Sequence, residues 1–422
     1  MGLFLPIGDK NHKTRIENFN NFALNQKNQT KMKILFVIDT YNTNNNGTSI
    51  SAQRFVQKLK EFGHEVRILT TGEESTDEIY ALKEFKVLGF NDLIHKHGFQ
   101  FAAIDLDIIA EAVKWADVVH CMMPFALEVA AKLVADRLHK PATAAFHIQP
   151  ENMTSSVGLG KVTVVNDMFY KQFKLSVYSH FDHIHVPSQF MGNEIRKHGY
   201  KAKIHVISNG IQDDFVYTKH DKDPEFKDKT LIMMVGRLSG EKRQDVIINA
   251  IPLSKHADKI QLILAGKGPK YDEYLELGKK LKNPPIFGYY NREELIHMLA
   301  QTDLYVHASD MESEAISCIE AFATGLVPVI ANSDLSATPQ FAIDGRSLFK
   351  PGSPTDLARA IDYWLDNPKE KDYMELQYAK SAKLYHLENS VRQFEEMLNE
   401  AIDDYHKNGD GYSSKYISED EA

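Results

Sequence analysis

Two carboxylates, Glu312 and Glu320, lie eight residues apart in the segment Glu312-Ser313-Glu314-Ala315-Ile316-Ser317-Cys318-Ile319-Glu320-Ala321-Phe322-Ala323-Thr324-Gly325. Its apolar spacing predicts a helix entered near Ala315. The N–H groups of Ala315, Ile316 and Ser317 would then lie at a helix start, where they lack internal acceptors and can hold a phosphate. Glu320, a turn inside, could accept both hydroxyls of a ribose, and Glu312 on the preceding loop would face a sugar. A second cluster, Val235-Gly236-Arg237-Leu238-Ser239-Gly240-Glu241-Lys242, spaces two cations, Arg237 and Lys242, as a diphosphate requires, since it needs positive charge from more than one direction. A third, Leu264-Ala265-Gly266-Lys267-Gly268-Pro269, offers backbone rather than charge. A fourth, Asn42-Thr43-Asn44-Asn45-Asn46-Gly47-Thr48-Ser49, has one glycine, Gly47, before a helix, so it is neither a GxGxxG nor a Walker A loop. Taken singly, each also fits an acidic helix start, a charged loop or a plain turn.

Groups so far apart in sequence need elements that carry them to a common edge. Lys33–Asp39 reads as a buried strand, the segment through Phe55, Val56 and Leu59 as a helix ended by Gly63, and His64–Leu69 as a second strand. Strand, helix, strand builds a parallel sheet with right-handed crossovers. Further strands follow at 117–121, 142–147, 183–187 and 203–207, with a helix around Gln189–His198. Periodicity fades over Ile211–Asp228, then a second alternating set begins at Leu231 and continues through 261–265, 285–287, 304–307 and 327–331. Ligands of open α/β sheets gather at the C-terminal strand ends, where clusters two and three fall. The reading is a polar extension over 1–31, a first αβα domain over 32–212, a second over 213–380, a C-terminal helix over 381–405 that could pack back on the first domain, and a disordered acidic tail over 406–422.

Composition removes several function classes. The net charge is −9, with the acidic surplus after residue 210 and a slightly basic segment before it, which disfavours nucleic acid. That first half could instead sit near an anionic membrane surface. The two cysteines, Cys121 and Cys318, lie in apolar runs with no CxxC, which argues against a disulfide framework or a cysteine zinc site. No run of 18 apolar residues occurs, and MGLFLP is followed too soon by charge to read as a signal peptide.

Taken in order, Gly236-Arg237…Glu241-Lys242, Gly266-Lys267-Gly268-Pro269, and Glu312-x7-Glu320 followed by Ala-x-Ala-x-Gly resemble retaining glycosyltransferases of family 4, from Met32 to about residue 400. The resemblance implies a GT-B fold, two Rossmann-like αβα domains facing across a cleft. It implies that Arg237 and Lys242 bind the donor diphosphate, that Glu320 holds the ribose and that Glu312 contacts the transferred sugar. Gly47, Gly266, Ala315, Ile316 and Ser317 complete the implied donor site. His147, in Ala145-Phe146-His147-Ile148-Gln149-Pro150-Glu151, resembles the family histidine placed close to the sugar. Departures are Asn46-Gly47 where many members have Gly-Gly, Arg243 where many have glycine, and Ala315 at another frequent glycine.

The implied reaction is metal-independent transfer of a hexose, expected from UDP-hexose, with no cofactor, because the nucleotide-sugar is itself the substrate. Asp105-Leu106-Asp107, a D-x-D, is read as chance, since it falls in or before a first-domain helix. His147–Asn152, 312–318, Gln340-Phe341 and Ser347–Phe349 are similar to bacterial diacylglycerol glucosyltransferases, which implies a lipid acceptor and a cytoplasmic enzyme peripheral on the inner membrane face. Lys161, Lys171 and Lys174, interleaved with Phe169, Tyr170 and Phe173, could form an interfacial helix, or the aromatics could pack on the core. A glycan acceptor, as in capsule or lipopolysaccharide assembly, and a sugar-nucleotide 2-epimerase sharing the fold are the alternatives.

Overall fold

The computed structural model describes residues 31–43, 47–86, 100–155 and 158–408. The polar extension, all but Lys31, and the acidic tail beyond residue 408 lie outside the described residues. The described chain divides into two compact units. One is Ile211–His386, and the other joins the residues up to Gly210 with those from Leu387 onward.

The unit built from the first half has strands β1 (Lys33–Val37), β2 (Glu65–Thr71), β3 (Ile79–Leu82), β4 (Val118–Cys121), β5 (Ala142–Ala145), β6 (His183–Val186) and β7 (Lys203–Val206). Its helices are α1 (Gly47–Glu61), α2 (Leu106–Trp115), α3 (Ala126–Arg137), α4 (Pro150–Ser155), α5 (Thr163–Ser176) and α6 (Gln189–Lys197). All strands pair in parallel, in the order β3-β2-β1-β4-β5-β6-β7. Ile34, Leu35, Phe36 and Val37 are all buried, as befits a central parallel strand covered on both faces. Strand β3 escapes the sequence reading because its four residues follow the polar run Glu73–Glu78 and show little alternation. Asp105-Leu106-Asp107 turns out to be a cap: Asp105 Oδ1 accepts from the N–H groups of Asp107 (3.1 Å) and Ile108 (3.3 Å) at the start of α2.

In the other unit, strands β8 (Thr230–Val235), β9 (Ile260–Ala265), β10 (Ile286–Gly288), β11 (Leu304–His307), β12 (Pro328–Ala331) and β13 (Leu348–Phe349) alternate with helices α7 (Gln244–Ala250), α8 (Tyr271–Gly278), α9 (Arg292–Ala300), α10 (Ile316–Ala323), α11 (Pro354–Asp366) and α12 (Pro368–Ala382). The sheet is parallel, ordered β10-β9-β8-β11-β12-β13. The strand order reverses between β8 and β11, which places their C-terminal ends at the switch point where such sheets bind ligands.

The unit boundary differs from the expected 380. Phe322 of α10 packs against Tyr378 (5.9 Å between centroids) and Tyr385 (6.1 Å), which keeps α12 and the turn after it with the second sheet through His386. The last helix, α13 (Leu387–Lys407), belongs to the other unit and extends beyond residue 405. It buries Leu387, Val391, Phe394 and Leu398, a helical stripe, in a core that also holds Ile34, Phe36 and Phe55. At about 1.5–3 kcal/mol per large side chain, that stripe contributes on the order of 10 kcal/mol as an upper bound. The helix is therefore part of this unit's core.

Candidate functional site

The site of the second unit is built where β8, β9 and β11 end. Leaving β8, the chain passes Gly236-Arg237-Leu238, and the turn after β9 lies directly on it, backbone to backbone. Leu238 N–H donates to Lys267 O (3.0 Å) and Gly236 N–H to Ala265 O (2.9 Å). A Cβ on Gly266 would lie 2.0 Å from Gly236 O, and one on Gly268 would lie 2.2 Å from Leu238 O. These two glycines are therefore required by close packing, which a plain tight turn would not explain. Arg237 is exposed on this platform, and its carbonyl accepts from Gln244 Nε2 (2.9 Å).

The loop after β8 is fastened to the loop after β11. Lys242 Nζ lies 2.5 Å from Glu312 Oε1, Arg243 Nη1 lies 3.2 Å from Asp310 Oδ2, and Asp310 N–H donates to Glu241 O (2.8 Å). Arg243 also grips Asp245 with two contacts of 3.1 Å. His307, the last residue of β11, places Nε2 2.9 Å from Glu312 Oε1. A carboxylate only accepts, so His307 donates from Nε2, while its Nδ1 faces the Tyr305 hydroxyl at 3.4 Å. Burial alone would raise the Glu312 carboxyl. The charge of Lys242, then the His307 hydrogen bond, outweigh it and hold the group well below the usual carboxylate range. Glu312 is thus an ionised acceptor, unsuited to donating a proton.

Sequence reasoning missed His307 and Tyr305. The available signal was a histidine at a strand's C-terminal end, five residues before Glu312.

Ala315 is left-handed (φ 75°, ψ 64°) and caps α10 from outside, so the helix begins at Ile316 rather than at Ala315. The expected helical N–H at Ala315 is corrected accordingly. Arg243 is also left-handed (φ 56°). Both positions hold non-glycine residues where the backbone favours glycine, at roughly 1 kcal/mol each. Ile316 and Ser317 open α10, and the Ser317 hydroxyl donates to Val235 O (3.1 Å), tying the helix start to the end of β8. Glu320 lies in the second turn and is buried. Arg237, Lys242, Gly266, Glu312, Ile316, Ser317 and Glu320 thus lie on the loops and helix start around one sheet edge.

His147 and Gly47 belong to the other unit. Gly47 is the first residue of α1, exposed, with open space where a Cβ would stand. His147 follows β5 and is buried, its ring packed edge-on to His185 at 4.9 Å, and its Nε2 has no hydrogen-bond partner among the described residues. Burial, then neighbouring His185, pushes its pKa well down, so it is neutral. In α5, Tyr170 and Phe173 are buried, Tyr170 stacking on Phe146 at 5.9 Å, so the aromatics pack on the core. A different set is exposed there: Val164, Met168 and Leu175, with Leu159 and Val162 just before the helix.

Two parallel α/β units, with cations and carboxylates gathered at the strand ends of the second, define a glycosyltransferase of GT-B fold. The chain belongs to glycosyltransferase family 4. The model for Glycosyltransferase Family 4 matches residues 45–215 and that for group 1 glycosyl transferases matches 216–382. It is 23% identical over 327 residues to the alpha-monoglucosyldiacylglycerol synthase of Streptococcus pneumoniae, covering 72% of this chain and 71% of the relative. The solved structure of Anabaena HepE, in complex with UDP and glucose, is 16% identical, with a TM-score of 0.66 over 87% of this chain and 99% of that one. A structure of the catalytic domain of Helicobacter pylori cholesterol-alpha-glucosyltransferase is 51% identical over 37% of this chain and 98% of that one, with a TM-score of 0.36.

Proposed function

We propose that this glycosyltransferase moves a hexose from a nucleotide-sugar, UDP-glucose in the first instance, to a membrane lipid such as diacylglycerol, with retention of configuration. The observation that carries the donor reading is Lys242 paired with an ionised Glu312 just ahead of the α10 start, with Arg237 exposed on the same loop as Lys242. Lys242 commits one of its three donor protons to Glu312, which leaves two to meet a diphosphate. Arg237 brings a second cation and the N–H groups of Ile316 and Ser317 a third positive element, so charge developing on the leaving diphosphate is met by preorganised groups and needs no metal. Glu320 would hold the ribose, and Glu312 would accept from hydroxyls of the transferred sugar. His147, neutral and with no partner for Nε2 among the described residues, would offer that nitrogen to a sugar hydroxyl.

The lipid acceptor is supported by α5. Val164 (71% exposed), Met168 (67%) and Leu175 fall at i, i+4 and i+11, with Lys171 at i+7 and Lys161 exposed just upstream. Apolar side chains at helical spacing among lysines fit the headgroup boundary of an anionic membrane. No described helix is long and apolar enough to cross a membrane. Among relatives, the pneumococcal synthase named above supports lipid glycosylation. The test is a mass-resolved screen of nucleotide-sugars against diacylglycerol, a sterol and soluble glycans, with EDTA. Lipid product with retained configuration is expected. Transfer only to glycan refutes the acceptor, epimerised donor without acceptor refutes the reaction class, and loss with EDTA refutes metal independence.

A further inference from the structure

Strand β7 is an edge of the first sheet, and α13 lies against it. His183 on β6 and His205 on β7 point to the same face, their rings 5.2 Å apart and inclined by 20°, with His183 Nδ1 3.0 Å from His205 Nε2. Across them on α13 are Glu400 and Asp404, one turn apart and so on one face. Asp404 Oδ2 lies 3.3 Å from His183 Nε2, and Glu400 Oε2 lies 3.9 Å from His205 Nδ1. Lys203 pairs with Glu400 from the solvent side.

Two neutral imidazoles own two ring protons, yet three contacts ask for one. Asp404 takes the proton of His183 Nε2 and the ring–ring contact takes that of His205 Nε2. His205 Nδ1 is left with a lone pair facing a carboxylate. At 3.9 Å the gap exceeds a hydrogen bond and is close to twice a zinc–nitrogen or zinc–oxygen bond of about 2.1 Å. One ligand atom from each of His183, His205 and Glu400 lies within 4.8 Å of the other two, a spacing that side-chain rotation closes.

We propose that His183, His205 and Glu400 bind a divalent cation of the zinc type, with Asp404 orienting His183 through its Nε2–H. Two imidazoles with a carboxylate suit zinc, whereas magnesium and calcium take oxygen ligands. The carboxylate–histidine–cation chain through Asp404 is the usual second layer of such sites. Cation binding replaces the ring–ring hydrogen bond and displaces the Lys203 ammonium from Glu400. It joins β6 and β7 to the C-terminal end of α13, whose apolar stripe already lies in the core of this unit.

The test uses the full chain, stripped with EDTA and dialysed, then titrated with ZnCl2 by calorimetry and followed by thermal unfolding, with MgCl2 as control. One Zn2+ per chain and a raised Tm are expected, with no response to MgCl2. Glu400→Gln and His205→Asn should each weaken binding at least tenfold, and Lys203→Ala should tighten it. Glu400 and Lys203 are partly exposed, so their variants should keep wild-type circular dichroism and turnover. Absence of stoichiometric uptake, or equal affinity in wild type and Glu400→Gln, overturns the site.

Discussion

Gly268→Ala puts the argument about the donor platform at risk. The added methyl would stand 2.2 Å from Leu238 O and 2.7 Å from the same residue's C and N. The three nearest atoms are all Leu238 backbone, so no side chain swinging away relieves them, and the two turns must separate by about 1 Å to reach ordinary packing distance. That opens the bonds from Leu238 N–H to Lys267 O and from Lys270 N–H to Leu238 O, each 3.0 Å. At roughly 1 kcal/mol net per bond, with some lost packing, the cost is about 2–3 kcal/mol. For a unit of this size that lowers Tm by roughly 5–10 °C. Arg237 rides on the displaced turn, and a 1 Å misplacement of a positioning group costs about 10²-fold in turnover. Gly240→Ala is the control, since nothing stands within 4 Å of its Cβ position and the residue is exposed. Calorimetry and steady-state transfer assays read both variants. Wild-type Tm and turnover in Gly268→Ala, or equal damage in Gly240→Ala, would refute the reasoning.

Removing either cation should be severe: Lys242→Ala and Arg237→Ala should each lower kcat by about 10²–10³-fold, and near-wild-type rates would remove these residues from the donor site. Glu312→Gln should destabilise the protein at neutral pH. Its carboxylate is held low when folded, so its stabilisation is present above the ordinary range near pH 4 and lost as pH falls further. The gap between wild type and variant in chemical denaturation should therefore close on acidification, and a constant gap would count against the ion pair. Glu128→Gln should do the reverse. Burial, then neighbouring Asp39, raises Glu128, and burial raises Asp39 to about 6, so the stability these groups contribute in acid is lost as pH climbs through their folded values. The variant should gain on wild type between pH 5 and pH 8, by amounts read from urea midpoints. Val164→Asp with Met168→Asp should reduce sedimentation with anionic vesicles and activity on lipid while leaving thermal stability unchanged; undiminished vesicle binding would exclude the α5 face.

What could be read from the sequence was set by periodicity and by charge at strand ends. Buried runs such as Ile34–Val37 and Leu231–Met234 announce central parallel strands, and the order of Arg237, Lys242, Glu312 and Glu320 points to the donor site proposed above. Short edge strands such as β3 and β13 carry too few residues for a period. The deeper loss concerns groups whose meaning lies in three-dimensional pairing. His307 becomes informative only because the loop after β11 returns Glu312 to within 2.9 Å of its ring. Arg243 and Ala315 stand where the resemblance expects glycine, and φ accounts for that glycine: both are left-handed, and Arg243 offsets its strain with bonds to Asp245 and Asp310 that a glycine could not make. A search for zinc through cysteine spacing is blind to His183, His205 and Glu400, which share no local motif. Strand register brings the histidines together, and the return of α13 supplies the carboxylates, so that cluster is a product of topology that no sequence window contains.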